Sequence, residues 1–178
     1  RAFQSACGVS DSGTPTNTAL HVAFLVASAL GDEAFYTLAL PLCAWVLDAR
    51  LSRRLAVFWS SIYYLGQVDI LRLPRPPPPV IRLDHRYSAE YGLPSTHAMG
   101  SLIPLFVLAC HFEGSLTALP SPAAWWCSGW SLSISLSRLY LGVHSVTDIL
   151  AGYLLGALSL VLWLGVGEAV DGFIATRP

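Results

Sequence analysis

From Ile149 to Val166 the chain carries no charged side chain. A helix needs about 20 predominantly apolar residues to cross the hydrocarbon core of a bilayer. A backbone in lipid must satisfy its N–H and C=O groups internally, which leaves helices and closed barrels as the spanning forms. This segment therefore reads as a membrane helix, and it sets the class of what precedes it. Apolar segments at about residues 17–30, 34–48, 55–72, 97–112 and 123–141 come before it, and it occupies about 147–166 itself. Together they predict an all-α integral membrane bundle of about six helices. The first segment contains His21 and alternatively reads as a helix lying along the interface. Only 12% of the residues are charged and 54% are hydrophobic, against roughly 25% charged in a soluble domain. A formal net charge of −1 gives no electrostatic basis for a nucleic-acid partner.

Residues 17–170 read as one membrane-embedded domain, with 1–16 and 171–178 as flanks. The chain begins at Arg1 and not at Met, so a fragment is expected, with its second flank truncated. No signal peptide is visible. The cysteines at 7, 43, 110 and 127 form no CxxC pair and read as packed or lipid-facing thiols. Gly152 and Gly156 are four apart in the last segment. They either permit close helix packing or reflect the general abundance of glycine in membrane helices.

Residues 48–54 contain three arginines and read as a short basic loop, which favours the cytosolic side. That parity places the longer polar stretch 73–96 and the turn at 138–147 together on the opposite side. The run Pro76 to Pro79 cannot be helical and reads as a stiff connector, or alternatively as a ligand for a recognition domain.

Reactive side chains stand at the ends of these segments. His144 and Asp148 are four apart, so on a helix they share a face, and the carboxylate can fix the tautomer of the ring. An interfacial His–Asp pair at a helix start explains the same spacing. Ser95 follows Pro94 as a candidate N-cap, and the first N–H groups of that helix are a place for an anion. Thr96 and His97 come next, although an ordinary cap with a bystander histidine has the same sequence. Arg138 lies inside an apolar stretch, where a charge is costly and usually functional. Arg72 and Arg75 add guanidinium groups, which match phosphate geometry. One shared phosphate site accounts for all of these residues at once.

The order Arg75-Pro76, then Pro94-Ser95-Thr96-His97, then Ser137-Arg138-x5-His144-x3-Asp148 resembles the three-part signature of the type 2 phosphatidic acid phosphatase superfamily. The flanking residues, including Tyr64-Leu65-Gly66-Gln67, Tyr87-Ser88-Ala89-Glu90-Tyr91 and Thr96 in place of the usual Gly, are similar to the sphingosine-1-phosphate phosphatases. The resemblance implies that His144 is a nucleophile forming a phosphohistidine and that Asp148 orients it. It implies that His97 protonates the leaving alkoxide and then activates water. It gives Arg75, Arg138 and Ser95 to the phosphoryl oxygens, with Thr96 and Arg72 beside them. It implies no metal and no cofactor, a lipid phosphate substrate such as sphingosine 1-phosphate, and an active site facing the lumen of the endoplasmic reticulum. It also implies further membrane segments beyond residue 178. One position departs from the signature: the lysine seven residues before Arg75 is Val68, and the chain has no lysine. That departure keeps two alternatives in play, a non-catalytic lipid-binding or scaffold protein on this fold and a phosphatase for another lipid phosphate.

Overall fold

Capping side chains set several of the helix starts in the computed structural model, which describes residues 1–46, 48–67, 80–86, 92–111 and 121–176. The helices are α1 (Ala2–Ala6), α2 (Thr18–Ala29), α3 (Glu33–Val46), α4 (Ala49–Gln67), α5 (Thr96–Gly100), α6 (Ile103–His111), α7 (Pro122–Tyr140) and α8 (Val146–Ala175). Asn17 caps α2 by accepting from the Leu20 amide at 3.0 Å. Ser121 caps α7, with Pro122 at the first helical position, where its missing N–H costs nothing. Ser145 caps α8 in a reciprocal box: its hydroxyl accepts from the Asp148 amide, and the Asp148 carboxylate accepts from the Ser145 amide at 2.7 Å.

Each of the six apolar segments forms helix among its described residues, with three differences from the sequence reading. First, the segment at 97–112 is broken between α5 and α6. Pro104 has no N–H to give to the carbonyl four residues back, that of Gly100. The Tyr36 hydroxyl donates to that carbonyl instead, at 3.0 Å. Second, the stretch 48–54 is not a loop. α4 starts at Ala49, and its arginines lie on the first two turns. Third, both flanks hold structure: α1 lies in one, and α8 runs on to Ala175 in the other.

α8 is long and apolar enough to cross a membrane on its own, and α2 and α3 are so together across a 57° bend. Leu150, Leu154, Leu158, Val161 and Leu162 on α8 are each 58–62% exposed. Their spacing forms one outward apolar stripe, the pattern of a lipid-facing surface and not of a soluble core helix. The opposite face packs on α5. A Cβ on Gly152 would sit 2.6 Å from the Ser95 carbonyl oxygen, and one on Gly156 would sit 2.8 Å from Leu102 Cδ1. Of the two explanations for these glycines, close packing is therefore the one that holds. Phe58, Ile62, Met99, Phe106 and Leu160 form the core between α4, α5, α6 and α8.

The two ends of the bundle differ in chemistry. At one end Arg53 and Arg54 both reach the buried Asp171 carboxylate at 2.7 Å, and Arg54 also reaches Glu168 at 2.6 Å. These bonds clamp the start of α4 to the end of α8. At the other end the loop 80–86 lies over the α7–α8 turn, where Gly142 has φ +69° and a Cβ would collide with the Ile81 carbonyl. Gln4 of α1 closes this end. Its amide donates to the carbonyls of Ile81 (2.6 Å) and Tyr140 (2.9 Å) and accepts from the Ile81 N–H (3.1 Å). Asp148 and Asp171 lie near opposite ends of α8, about 35 Å apart at 1.5 Å per residue.

Candidate functional site

The described candidate residues lie toward the α1 end of the bundle. His144 lies just before the α8 cap and is buried. Its Nδ1 lies 2.8 Å from the Gly92 carbonyl oxygen. A carbonyl can only accept, so Nδ1 carries the proton and Nε2 keeps its lone pair. The sequence spacing gives the tautomer-fixing role to Asp148, but the Asp148 carboxylate is 3.8 Å from Nδ1 and makes its shorter bond to the Ser145 amide. The physical reason is the capping box, which turns the carboxylate toward the helix start. At that distance it is not the ring's nearest acceptor.

Ser95 is fully buried and caps α5 by accepting from the Ala98 amide at 3.4 Å. Its own N–H donates to the Asp148 carbonyl at 3.1 Å, which ties the start of α5 to the first turn of α8. His97 is buried in the first turn of α5. The α2–α3 bend presses against it: a Cβ on Gly31 would lie 2.9 Å from His97 Cδ2 and 2.7 Å from Ile134 Cγ2. Arg138 is 1% exposed, and its guanidinium donates to the Ser28 hydroxyl at 2.7 Å. Thr96 shares a pocket wall with His97. Arg72, Arg75 and Val68 lie outside the described residues.

Sequence reasoning missed several residues around this group. Ser28 carries no motif, and its partner lies 110 positions away. Gly92 acts through its backbone. Asp84, in the loop above the site, is buried and paired with Arg86 at 2.8 Å, and Arg86 reaches on to Asp32 at 3.6 Å. Burial pushes the Asp84 carboxyl up, but the hydrogen bonds and charge of Arg86, with Arg138 adding to the field, hold it below its ordinary value. Among the described residues no three His, Cys, Asp or Glu side chains converge as metal ligands would.

The sequence profile of the PAP2 superfamily matches residues 55–169. Human sphingosine-1-phosphate phosphatase 2 is 41% identical over 158 residues, covering 87% of this chain and 40% of that protein. Mouse sphingosine-1-phosphate phosphatase 1 is 37% identical over 172 residues, covering 90% of this chain and 38% of that protein. The chain thus spans about two fifths of the length of these relatives. Among solved structures, the transmembrane PAP2-type phosphatidylglycerolphosphate phosphatase of Bacillus subtilis superposes with a TM-score of 0.67 at 19% identity. It covers 99% of this chain and 86% of that one. That likeness is one of fold, and the fold is an integral membrane helical bundle.

Proposed function

The chain belongs to the PAP2 superfamily, and we propose on that premise that it hydrolyses a lipid phosphate monoester, with sphingosine 1-phosphate as substrate. The substrate is taken from the names of the relatives. The observation that carries the chemistry is the hydrogen bond from His144 Nδ1 to the Gly92 carbonyl, which leaves Nε2 as a lone pair in a buried, polar site. In the proposed reaction His144 Nε2 attacks phosphorus, the P–O ester bond breaks, and His97 gives its proton to the leaving alkoxide. A phosphohistidine results. Water, losing a proton to His97, then attacks phosphorus, the N–P bond breaks, and inorganic phosphate leaves. Arg138, Ser95 and Thr96, with Arg72 and Arg75, hold the phosphoryl oxygens and stabilise charge in the transition state. Asp148 supports the imidazolium that forms on His144. The bilayer keeps the alkyl chain while the head reaches the helix ends.

The test is phosphate release by the membrane-reconstituted protein from sphingosine 1-phosphate and, in parallel, from phosphatidic acid. Release from the first at a rate well above that of His144→Ala supports the reading. Release from the second alone reassigns the substrate. No release above the variant favours the non-catalytic alternative, for which Val68 in place of the signature lysine is the sequence observation.

The site is proposed to face the lumen of the endoplasmic reticulum, with the Arg50–Arg54 end in the cytosol. The arginine-rich start of α4 supports this side. A glycosylation acceptor inserted near Asp84 is expected to be modified and one near Arg50 is not. The reverse pattern rejects the orientation.

A further inference from the structure

The geometry points to Glu33 as the residue that selects substrates carrying an ammonium group beside the phosphate ester, an inference that rests on the hydrolase reading above. A cavity of about 80 Å³ opens next to the candidate general acid, lined among others by Glu33, Trp59, Tyr63, Thr96 and His97. It has room for a small polar head and not for an alkyl chain. Glu33 opens α3 and accepts a hydrogen bond from the Tyr63 hydroxyl. Trp59 and Tyr63 stack at 5.5 Å, one turn apart on α4. The neighbouring Asp32 is answered by Arg86. Among the described residues no cation pairs with Glu33.

A carboxylate at a helix start is favourable in its own right. That accounts for the helix, not for its place in the same cavity as His97. A bare negative charge there repels a phosphate. It is useful only if the substrate brings a cation close to its ester oxygen. In a sphingoid-base phosphate the amine is on the carbon next to the one bearing the phosphate, so oxygen and nitrogen are three bonds apart. If His97 protonates that oxygen, the ammonium falls within the cavity, where a carboxylate and two aromatic rings favour it. A glycerol-based phosphate has an uncharged ester at that carbon and gains nothing from Glu33.

The experiment compares kcat/KM for sphingosine 1-phosphate and for an alkyl phosphate of equal chain length without the amine, in wild type, Glu33→Gln and Glu33→Asp. Glutamine still accepts from Tyr63 but has no charge. The ratio of the two kcat/KM values is expected to fall roughly tenfold in Glu33→Gln and to be largely kept in Glu33→Asp. Partial misfolding lowers both values together and leaves the ratio unchanged. An unchanged ratio in Glu33→Gln overturns the inference. Should wild type hydrolyse neither lipid, the hydrolase reading fails separately, and binding decides: sphingosine against the alcohol of equal length, followed by tryptophan fluorescence. A preference for the amine that Glu33→Gln abolishes keeps the inference, and no such preference overturns it.

Discussion

The imidazole of His144 is held through Nδ1 by the backbone carbonyl of Gly92, at 2.8 Å, and not first by the carboxylate four residues along. The tautomer therefore survives loss of the carboxylate. His144→Ala is expected to abolish phosphate release, by roughly four orders of magnitude or more. Asp148→Asn is expected to cost only about 10- to 1000-fold, well short of the loss seen where the carboxylate alone sets the tautomer. The amide oxygen can still accept from the Ser145 N–H, so helix α8 keeps its start. Single-turnover phosphate release by both variants, after a check of membrane insertion, settles the order. Equal losses would assign Asp148 the main orienting role.

Gly152 touches the backbone of the site and not a flexible side chain. Gly152→Ala puts a methyl 2.6 Å from the Ser95 carbonyl and 3.0 Å from Ala98 Cβ. The helices must part, at a cost of about 1–3 kcal/mol, and Ser95 and His97 move with α5. Both thermal stability in detergent and activity are expected to fall. Gly165→Ala, with nothing within 4 Å of the new carbon, is the neutral control.

How far the site was legible divides along these contacts. Ser95, His97, His144 and Asp148 stand out as candidates in the sequence because each sets a reactive side chain at a helix end, and Arg138 because its charge lies inside an apolar stretch. Their gathering at one end of the bundle follows from helix parity. Gly92 was not readable, since a carbonyl leaves no side-chain signature. Ser28 was hidden in an apolar run, and only the fold brings it to Arg138. The α5–α6 break divides a segment that is continuous by composition, and Tyr36, which takes up the Gly100 carbonyl that Pro104 leaves free, stands 64 positions away. The basic stretch at 48–54 reads as a loop from its charge alone, while its partners, Glu168 and Asp171, lie on the last turns of α8.

Those partners make Asp171 a stability residue remote from the chemistry. It is 5% exposed and accepts from Arg53 and Arg54, with Arg50 at 3.4 Å. Asp171→Asn leaves the arginines facing a neutral group and is expected to cost about 2 kcal/mol of stability, read as a lower melting temperature in detergent. Activity per folded molecule is expected to stay within about twofold, since the clamp and His144 are separated by the length of α8, about 35 Å.

Asp84 ties acid stability to the loop above the site. Its folded carboxyl titrates below its ordinary value of 3.8. A carboxyl depressed on folding contributes stability above the unfolded value and loses that contribution as pH falls through the folded one. The stability gap between wild type and Asp84→Asn is therefore expected to be full at pH 7 and to close below the ordinary carboxylate range. Denaturation midpoints at pH 7, 5 and 3 check this. A gap that is constant with pH would show that charge is not what Asp84 contributes.

Gln4 bonds to residues 77 and 136 positions further along the chain, and that separation imposes an order of events during synthesis. A membrane protein is made and inserted from its N-terminus. When α1 emerges, neither Ile81 nor Tyr140 yet exists, and its amide can bond only to water. Closure over the site must wait until α7 is in place and its last carbonyl is presented. α1 is made before the elements it bonds to and is thus among the last to dock, and an assembly intermediate halted before α7 has an open site.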